Sequence, residues 1–284
     1  MIRSLPQSRG YSLSFKLYVS LYFIFLFAPL LVTCVLAFND SQFPSLPWKG
    51  FTLEWFTGNR PDRVGIFHDQ INLDSIWVSV RVAFFVTLIS VVVGTCGAFL
   101  FEQEDFRFKE LLYFLMLAPL VIPGVILGIS ILMFSTTLGI FFEEVWNLDV
   151  ELFRPSFWLV VLGQFSFIAT LVTLIVSARL KKFDRTLEEA ALNLGANRFG
   201  VIWYITLRFL RPALIGAGAV AFLMSFENFN TTMFLVGSEA TLPINLYLQV
   251  RDGSTPVINA ISFLLIIGTS LLALAKLYFS RKED

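Results

Sequence analysis

The sequence predicts an all-α integral membrane protein with six transmembrane helices and both termini in the cytoplasm. Three observations predict this class: the apolar composition, six long apolar runs, and an uneven distribution of Lys and Arg. Hydrophobic residues make up 56% of the 284 residues, charged residues make up only 15%, and the mean hydropathy is +0.75. This apolar share exceeds that of ordinary globular domains, so most of the chain is expected to lie in lipid.

Six apolar runs are long enough to cross the hydrocarbon core of a bilayer, which takes about 20 helical residues. They cover residues 17–38, 76–100, 111–134, 156–177, 212–236 and 257–279. The first run is longer than the core of a signal peptide, and we expect it to remain as a membrane anchor. No linker, low-complexity tract or change in composition divides the chain, which indicates a single transmembrane domain over residues 1–284.

The third run contains residues that interrupt helices. Pro119 and Pro123 each remove a backbone hydrogen-bond donor, and Gly124 and Gly128 lack the side chains that keep neighbouring helices apart. We therefore expect this segment to kink and to allow close helix packing. Both a flexing pathway helix and a static kink fit the pattern.

Lys and Arg mark the cytoplasmic side of a membrane protein. Most of them lie near the two termini, between the second and third runs, and in the segment 178–211. We therefore place the termini and this segment in the cytoplasm. The segments 39–75, 135–155 and 237–256 are expected to face outward.

The composition does not point to a nucleic-acid partner, a metal or a catalytic site. The formal net charge is zero, and both cysteines, Cys34 and Cys96, lie inside apolar runs. The single histidine, His68, has no companions at metal-ligand or catalytic-triad spacing. We expect it to be a surface residue.

The cytoplasmic segment 178–211 carries the most informative motif. Residues 184–195 should form a short helix, because small and apolar residues recur at three- and four-residue spacing and Gly195 permits a C-terminal stop. Alanines on this helix let another surface approach closely, and the acidic pair Glu188 and Glu189 can meet basic groups on that surface.

This segment resembles the cytoplasmic EAA loop of the permease subunits of binding-protein-dependent ABC importers, and we call residues 178–211 the coupling loop. The family's pattern is Glu-Ala-Ala, three residues, Gly, nine residues and Ile-x-Leu-Pro, a spacing that an ordinary solvated loop helix would not require. The resemblance implies that the loop docks on an ATPase subunit and couples it to the membrane helices. The residues expected to do so are Glu188, Glu189, Ala190, Ala191, Gly195, Ile205 and Leu207. Arg208 stands where the pattern has proline, a departure that concerns the local kink after the loop.

The resemblance covers nearly the whole chain and is greatest to the second permease of the spermidine/putrescine importer family. It rests on the six-run layout, on the break from Pro119 to Gly124, and on residues 241–247. It implies the type I ABC importer permease fold in the bacterial cytoplasmic (inner) membrane, with polyamines as the substrate. The implied partners are a second homologous permease, two copies of an ABC ATPase subunit and an extracytoplasmic substrate-binding protein.

Two alternatives to this function stay open. The same transport role for another small solute, such as an amino-acid-like molecule or an organic cation, fits the same motifs, because the binding protein largely sets the choice of substrate in these importers. An ATP-independent secondary carrier fits less well, since the sequence shows neither inverted repeats nor a second buried acid.

The sequence of this chain contains no nucleotide-binding motif. Gly195 and Gly200 have the spacing of a phosphate-binding loop, but Val201 and Ile202 follow where Lys and Ser or Thr would contact phosphate and magnesium. We therefore expect no cofactor on this chain, and ATP and Mg on the partner ATPase subunits.

Glu227 is the only acidic residue deep within a predicted span. An ionised side chain at the bilayer centre costs roughly 2.5–3.5 kcal/mol, so such residues usually face a bundle interior or a water-filled cavity. At 100° per residue, Asn230, Thr231 and Phe234 fall on the same helical face as Glu227, and Phe226 lies on the adjoining face, where its ring can attract a cation. The residues expected to line the substrate pathway are Glu227, Asn230, Thr231, Phe226 and Phe234. The alternatives are a glutamate paired with a neighbouring subunit or close to outer water, and phenylalanines that pack against lipid or core.

Two further polar residues interrupt the apolar runs. We expect the long side chain of Arg81 to reach the outer interface, and we expect Gln164 to form hydrogen bonds between helices.

Overall fold

The computed structural model describes residues 9–61, 63–253 and 255–280, which are mostly helical. The predicted cytoplasmic termini, residues 1–8 and 281–284, lie outside the described residues. A two-residue antiparallel ladder joins β1 (Asn59–Arg60) to β2 (Arg63–Val64), a 3₁₀ turn covers Glu151–Phe153, and a π-helical turn covers Ile202–Thr206. The α-helices are α1 (Arg9–Leu36), α2 (Glu54–Thr57), α3 (Gln70–Gln103), α4 (Lys109–Val121), α5 (Gly124–Trp146), α6 (Phe157–Leu180), α7 (Thr186–Asn193), α8 (Arg198–Val201), α9 (Leu207–Phe226), α10 (Thr232–Leu235), α11 (Leu242–Asp252) and α12 (Val257–Ser280).

Five helices in the described part of the chain are long and apolar enough to cross a membrane, and the predicted all-helical class is confirmed. They are Gly10–Leu36, Gln70–Gln103, Gly124–Trp146, Phe157–Leu180 and Arg198–Phe226. The sixth predicted run, 257–279, lies within α12, where the apolar stretch found among the described residues is Val257–Leu271. The count of six spans therefore stays a prediction.

The third predicted run, 111–134, does not form one helix, which corrects its predicted boundaries. α4 and α5 are separated, and α5 continues to Trp146, well beyond the predicted end. Between them, Ile122 (φ −71°, ψ 129°) and Pro123 (φ −55°, ψ 133°) are extended. Proline has no N–H to donate and disfavours helical backbone in the residue before it. The expected kink is therefore a complete interruption, the α4–α5 break.

The fifth predicted run, 212–236, is interrupted as well. α9 ends at Phe226, and the single turn of α10 begins only at Thr232, so residues 227–231 form an α9–α10 break. Asn side chains compete with the helical backbone for hydrogen bonds. Asn228 does so here, because its Oδ1 accepts the backbone N–H of Thr232 at 3.2 Å. At the other end, α8, the π-helical turn and α9 are continuous, so this helix begins earlier than predicted.

The larger of two compact units covers residues 74–247, and α6 lies at its centre. α6 packs mainly against α9 and also against α4 and α10. A Cβ added to Gly94 of α3 would lie 2.8 Å from Val172 Cγ1, so a missing side chain allows the two helices to pack closely. The apolar core combines branched and small residues of α3, α6, α9 and α10, among them Val82, Val86, Val160, Val161, Ile168, Val172, Leu210, Ala217 and Leu235.

Among the described residues, the smaller unit covers 9–61, 63–73, 248–253 and 255–280, and in it α1 packs against α12. The connection that follows α1 is folded, with Arg63 at its centre. The Arg63 guanidinium donates to Glu54 Oε2 at 2.8 Å and to Asp40 Oδ1 at 2.5 Å, and these hydrogen bonds raise the pKa of Arg63. Trp55 packs against this guanidinium at 5.5 Å. The segment 39–75, which is predicted to face outward, therefore contains an ordered structure held by side-chain contacts.

Candidate functional site

The coupling loop contains a short helix with well-defined ends. α7 occupies residues 186–193 of the predicted 184–195. At its start, Asp184 Oδ1 accepts the backbone N–H of Thr186 at 3.0 Å. At its end, Gly195 has φ +89° and donates its N–H to Leu192 O at 2.9 Å, while the next residue donates to Ala191 O at 3.0 Å. This pair of hydrogen bonds is the Schellman arrangement, and it requires the left-handed backbone that glycine adopts most readily.

The second part of the loop leads directly into α9. Asn197 caps α8, because its Oδ1 accepts the backbone N–H of Gly200 at 2.6 Å. A π-helical turn then joins α8 to α9, and the Ile-x-Leu motif begins within this turn at Ile205. π-helical turns are rare and frequently occur at functional sites. Arg208, which stands where the family's pattern has proline, follows shortly after this π-helical turn. The next proline along the chain, Pro212, lies inside α9.

A partly buried hydrogen bond joins the two halves of the motif. The hydroxyl of Thr206, the middle residue of the Ile-x-Leu motif, is fully buried and donates to Glu188 Oε1 on α7. A hydrogen bond to a charged group typically contributes about 1.5–3 kcal/mol. Of the predicted acidic pair, Glu188 is therefore engaged within the chain, and Glu189 is exposed.

Further contacts attach the coupling loop to the C-terminal end of α3, which is predicted to lie on the cytoplasmic side. Arg185 Nη2 donates to the backbone carbonyl of Glu102 at 2.5 Å, and Lys181 Nζ lies 3.5 Å from the Glu102 carboxylate. The ring of Phe183 is buried and packs against Phe209 of α9, with the ring centroids 5.1 Å apart. The segment that leads into α7, residues 181–185, is thus attached to both α3 and α9.

Several apolar side chains of the coupling loop are exposed. Leu194 is 89% exposed, Phe199 is 73% exposed and Trp203 is 57% exposed, and the last two rings stack at 6.1 Å. Exposed apolar side chains of this size are available for contact with a partner. The predicted coupling residues divide by exposure: Glu189, Ala190 and Gly195 are exposed, whereas Glu188, Ala191, Ile205 and Leu207 are half-buried.

The two helix breaks lie against each other within the larger unit. A Cβ added to Gly124, at the start of α5, would lie 3.0 Å from the Cβ of Asn230. One turn later, a Cβ added to Gly128 would lie 2.8 Å from the carbonyl oxygen of Thr231. These glycines therefore let α5 approach the backbone of the α9–α10 break. Interrupted helices that meet in this way are typical of transporter pathways, because non-helical backbone at membrane depth must be buried in protein or line a cavity.

A buried polar network holds the α9–α10 break. Gln164 on α6 is 1% exposed, donates through Nε2 to Thr232 Oγ1 at 2.7 Å, and accepts the hydroxyl of Ser225. Thr232 Oγ1 in turn donates to Asn228 Oδ1 at 2.9 Å. The expectation that Gln164 bonds between helices is confirmed. It connects the last turn of α9 to the start of α10.

The predicted pathway residues do not share one helical face, which corrects that part of the prediction. Helical periodicity applies only to a continuous helix, and here Glu227 caps the C-terminus of α9 while Asn230 and Thr231 lie in the break. Glu227 and Asn230 are exposed, Thr231 is buried, and Phe226 and Phe234 are half-buried.

The network residues Ser225, Asn228 and Thr232 are not predicted from the sequence, whereas the close helix packing predicted at Gly128 is confirmed. A cluster of Asn and Thr inside an apolar run was the available signal for a break. Within the described ranges, no group of three or more His, Cys, Asp and Glu side chains is placed to hold a metal ion.

Comparisons with known proteins place the chain among transport permeases. Residues 90–284 match the family described as binding-protein-dependent transport system inner membrane component. The putrescine transport system permease protein PotI of Escherichia coli K12 is 29% identical over 264 residues, covering 92% of this chain and 89% of PotI. The spermidine/putrescine permease PotC of the same strain is 25% identical over 262 residues, covering 92% of this chain and 91% of PotC.

A solved structure shows the same fold over the whole length. The crystal structure of a bacterial ABC transporter involved in the import of the acidic polysaccharide alginate contains a chain that aligns with a TM-score of 0.65 at 12% identity, covering 99% of both chains. The family match over residues 90–284 shows that the chain belongs to the inner membrane components of binding-protein-dependent transport systems, the permease subunits of ABC importers.

Proposed function

We propose that this chain is one of two permeases of an ATP-driven polyamine importer, and that its coupling loop receives the force of ATP binding. The observation that carries the proposal is the construction of α7. It is capped at both ends, bonded through Glu188 to Thr206, attached through Arg185 to α3, and bordered by exposed apolar side chains. Such a helix can be pushed by a partner without losing its attachment to the membrane helices.

Helix α9 supports the proposed transmission. Its first turn follows the π-helical turn that contains Thr206, and its last turn contains Ser225, which is bonded to Gln164. With 20 residues, α9 spans about 30 Å at helical rise. One continuous helix therefore connects the coupling loop to the α9–α10 break. Movement of α7 would be passed along α9 to the point where the two helix breaks meet.

The proposed polyamine substrate rests on the full-length similarity to PotI and PotC and on the groups beside the α9–α10 break. Glu227 offers an exposed carboxylate there. Phe226 stacks on Phe222 with ring centroids 6.2 Å apart, and Phe229 contacts Tyr247 at 5.0 Å. A carboxylate near aromatic faces is the chemistry that recognises organic cations.

The proposal includes the partners and the orientation expected from the sequence. A second homologous permease would complete the pathway, two ATPase copies would dock on the two coupling loops, and an extracytoplasmic binding protein would deliver the substrate. ATP and Mg would bind to the ATPase subunits. The coupling loop would face the cytoplasm of a bacterium, because it carries a large share of the basic residues.

The substrate assignment is tested by Glu227→Gln in the complete complex. This change keeps the size of the side chain and removes the charge, so we expect putrescine uptake to fall about tenfold while the ATPase subunit still co-purifies. Glu144→Gln is the matched control, because Glu144 is an exposed glutamate of α5. Putrescine uptake at the wild-type rate in Glu227→Gln would remove Glu227 from the pathway. Transport of a different solute by the wild-type complex would show that the same machinery carries another cargo.

A further inference from the structure

A cleft of about 490 Å³ in the larger unit lies outside both the coupling loop and the helix breaks. It is formed where the first turn of α6 meets α3 and the segment that follows α10. These chain ends lead into the connections predicted to face outward. The side chains that give the cleft its chemistry are Arg81, Phe85, Phe157, Trp158, Ser238 and Glu239, and we call it the aromatic cleft.

Three aromatic rings form one wall of the aromatic cleft. Phe85, Phe157 and Trp158 contact one another in edge-to-face geometry, with ring centroids between 5.2 and 5.9 Å apart. Arg81 lies over the Phe157 ring at 5.6 Å, and its Nη2 donates to Glu239 Oε2 at 3.1 Å. The Arg81 guanidinium thus occupies a position between an aromatic face and a carboxylate, which is an environment suited to an organic cation.

Arg81 is held loosely in this position. Its side chain is 39% exposed and that of Glu239 is 58% exposed, and ion pairs at such exposure contribute little to stability. Its Nε is buried and has no hydrogen-bond partner among the residues that the structure describes. A ligand cation can therefore replace the guanidinium without breaking a strong internal contact.

The backbone that lines the cleft, at the start of α6 and after α10, is packed more tightly than the Arg81 side chain. The backbone N–H of Ser156 donates to Leu235 O at 3.1 Å, and a Cβ added to Gly237 would lie only 2.5 Å from Pro155 O. These close contacts join the start of α6 to the segment after α10. The cleft is therefore expected to keep its shape when Arg81 moves aside.

We propose that the aromatic cleft binds the primary ammonium group of an aliphatic amine, which displaces Arg81 from Glu239 and from the Phe157 ring. Arg81 is the internal competitor, and it neutralises the carboxylate when no ligand is present. The physiological ligand, a polyamine, rests on the proposed function. The headgroup of phosphatidylethanolamine carries the same ammonium group and is the second source of this chemistry.

The test is equilibrium binding of radiolabelled putrescine to the complete complex in nanodiscs of phosphatidylcholine and phosphatidylglycerol, without the binding protein. All variants carry Glu227→Gln, so that the proposed pathway carboxylate does not contribute. Arg81→Gln removes the competitor and should tighten binding about fivefold, whereas Glu239→Gln should abolish binding. Asp149→Asn is the matched control, because Asp149 forms an exposed ion pair with Arg154 at 2.8 Å and does not line the cleft.

Unchanged or weaker binding in Arg81→Gln, or unchanged binding in Glu239→Gln, would overturn the proposal. Because Glu239 is exposed, the Glu239→Gln variant is expected to fold. If the Arg81→Gln variant does not fold, putrescine binding by Glu239→Gln alone decides whether the proposal holds. Adding phosphatidylethanolamine to the nanodiscs distinguishes the two sources of the ammonium group. If the lipid reduces putrescine binding, its headgroup is the ligand of the cleft. If putrescine binding is unchanged, the ligand is the soluble amine.

Putrescine uptake by the complex in proteoliposomes, with Glu227 restored and the loaded binding protein added, separates this proposal from the proposed function. Uptake without the expected binding pattern would overturn the cleft alone. The expected binding pattern without uptake would overturn polyamine transport alone.

Discussion

Gly195 is the coupling-loop residue whose identity the backbone requires, since its φ of +89° allows the two hydrogen bonds that end α7. Gly195→Ala should strain this turn by about 1–2 kcal/mol and fray the end of α7. We expect the amount of ATPase subunit that co-purifies with the permease to fall.

Gly216→Ala provides the control for this prediction. Gly216 lies inside α9, and an added Cβ there meets no described atom within 4 Å. Alanine favours a helix interior over glycine by about 0.5–1 kcal/mol, so this variant should keep full co-purification. Undiminished co-purification in Gly195→Ala would show that the cap of α7 is not needed for docking.

Gln164 is the residue on which the polar network of the α9–α10 break depends. Gln164→Leu keeps the volume similar but leaves the buried hydroxyls of Ser225 and Thr232 without these partners. The loss should destabilise the protein by about 1–3 kcal/mol. The measurement is the thermal unfolding midpoint of the solubilised protein. Thr137→Val should leave the midpoint unchanged, because Thr137 is exposed and bonds only to its own helix at Met133 O. Equal midpoints for both variants would contradict the structural role of Gln164.

The sequence predicts some of these residues and not others, for a physical reason. Gly195 is predictable because a helix-ending glycine acts within its own turn. The bond between Glu188 and Thr206 spans 18 residues, and it depends on the path of the chain through α8 and the π-helical turn. No local rule specifies that path, so Glu188 was expected to face a partner.

At the scale of elements, α7 and α9 should act as one unit joined by the Glu188–Thr206 hydrogen bond. Thr206→Val removes the donor while keeping the shape of the side chain. We expect about a tenfold lower rate of putrescine uptake per ATP hydrolysed, with the ATPase subunit still bound. Glu188→Met removes the acceptor at a similar side-chain length and should have a similar effect, and the double variant should be no worse than either single one, because all three lose the same interaction.

Thr206→Ser is the control for this element, since it keeps the hydroxyl and should restore uptake. Additive losses in the double variant, or full coupling in Thr206→Val, would show that α7 moves α9 by another route.

The helices themselves are largely predictable from apolar runs, and Pro119 and Pro123 predict a kink in the third run, but hydropathy predicts neither the complete α4–α5 interruption nor the α9–α10 break. Hydropathy averaged over a span does not detect a break of two residues such as Ile122–Pro123. The same averaging joined α9 and α10 into one run, and the assumed periodicity then placed Glu227, Asn230 and Phe234 on one face. The breaks arise from proline geometry and from side-chain hydrogen bonds, which act locally against the helix.

At the scale of the whole molecule, the described chain leaves most of its apolar helix surface uncovered. The apolar window of α1 is 0% buried and that of Arg198–Phe226 is only 22% buried, whereas that of α6 is 61% buried. Lipid can cover α1, and a second permease can cover the exposed side of α9. This uneven burial agrees with a subunit that completes its pathway only in a complex.

The account of the whole molecule is that ATP used by partner subunits drives substrate through this permease. The measurement that decides it is putrescine uptake into proteoliposomes that contain this chain, its second permease, the ATPase subunits and the loaded binding protein. We expect accumulation that requires ATP and stops when ATP is replaced by a non-hydrolysable analogue. Accumulation of equal size without ATP, driven by an ion gradient alone, would contradict the account.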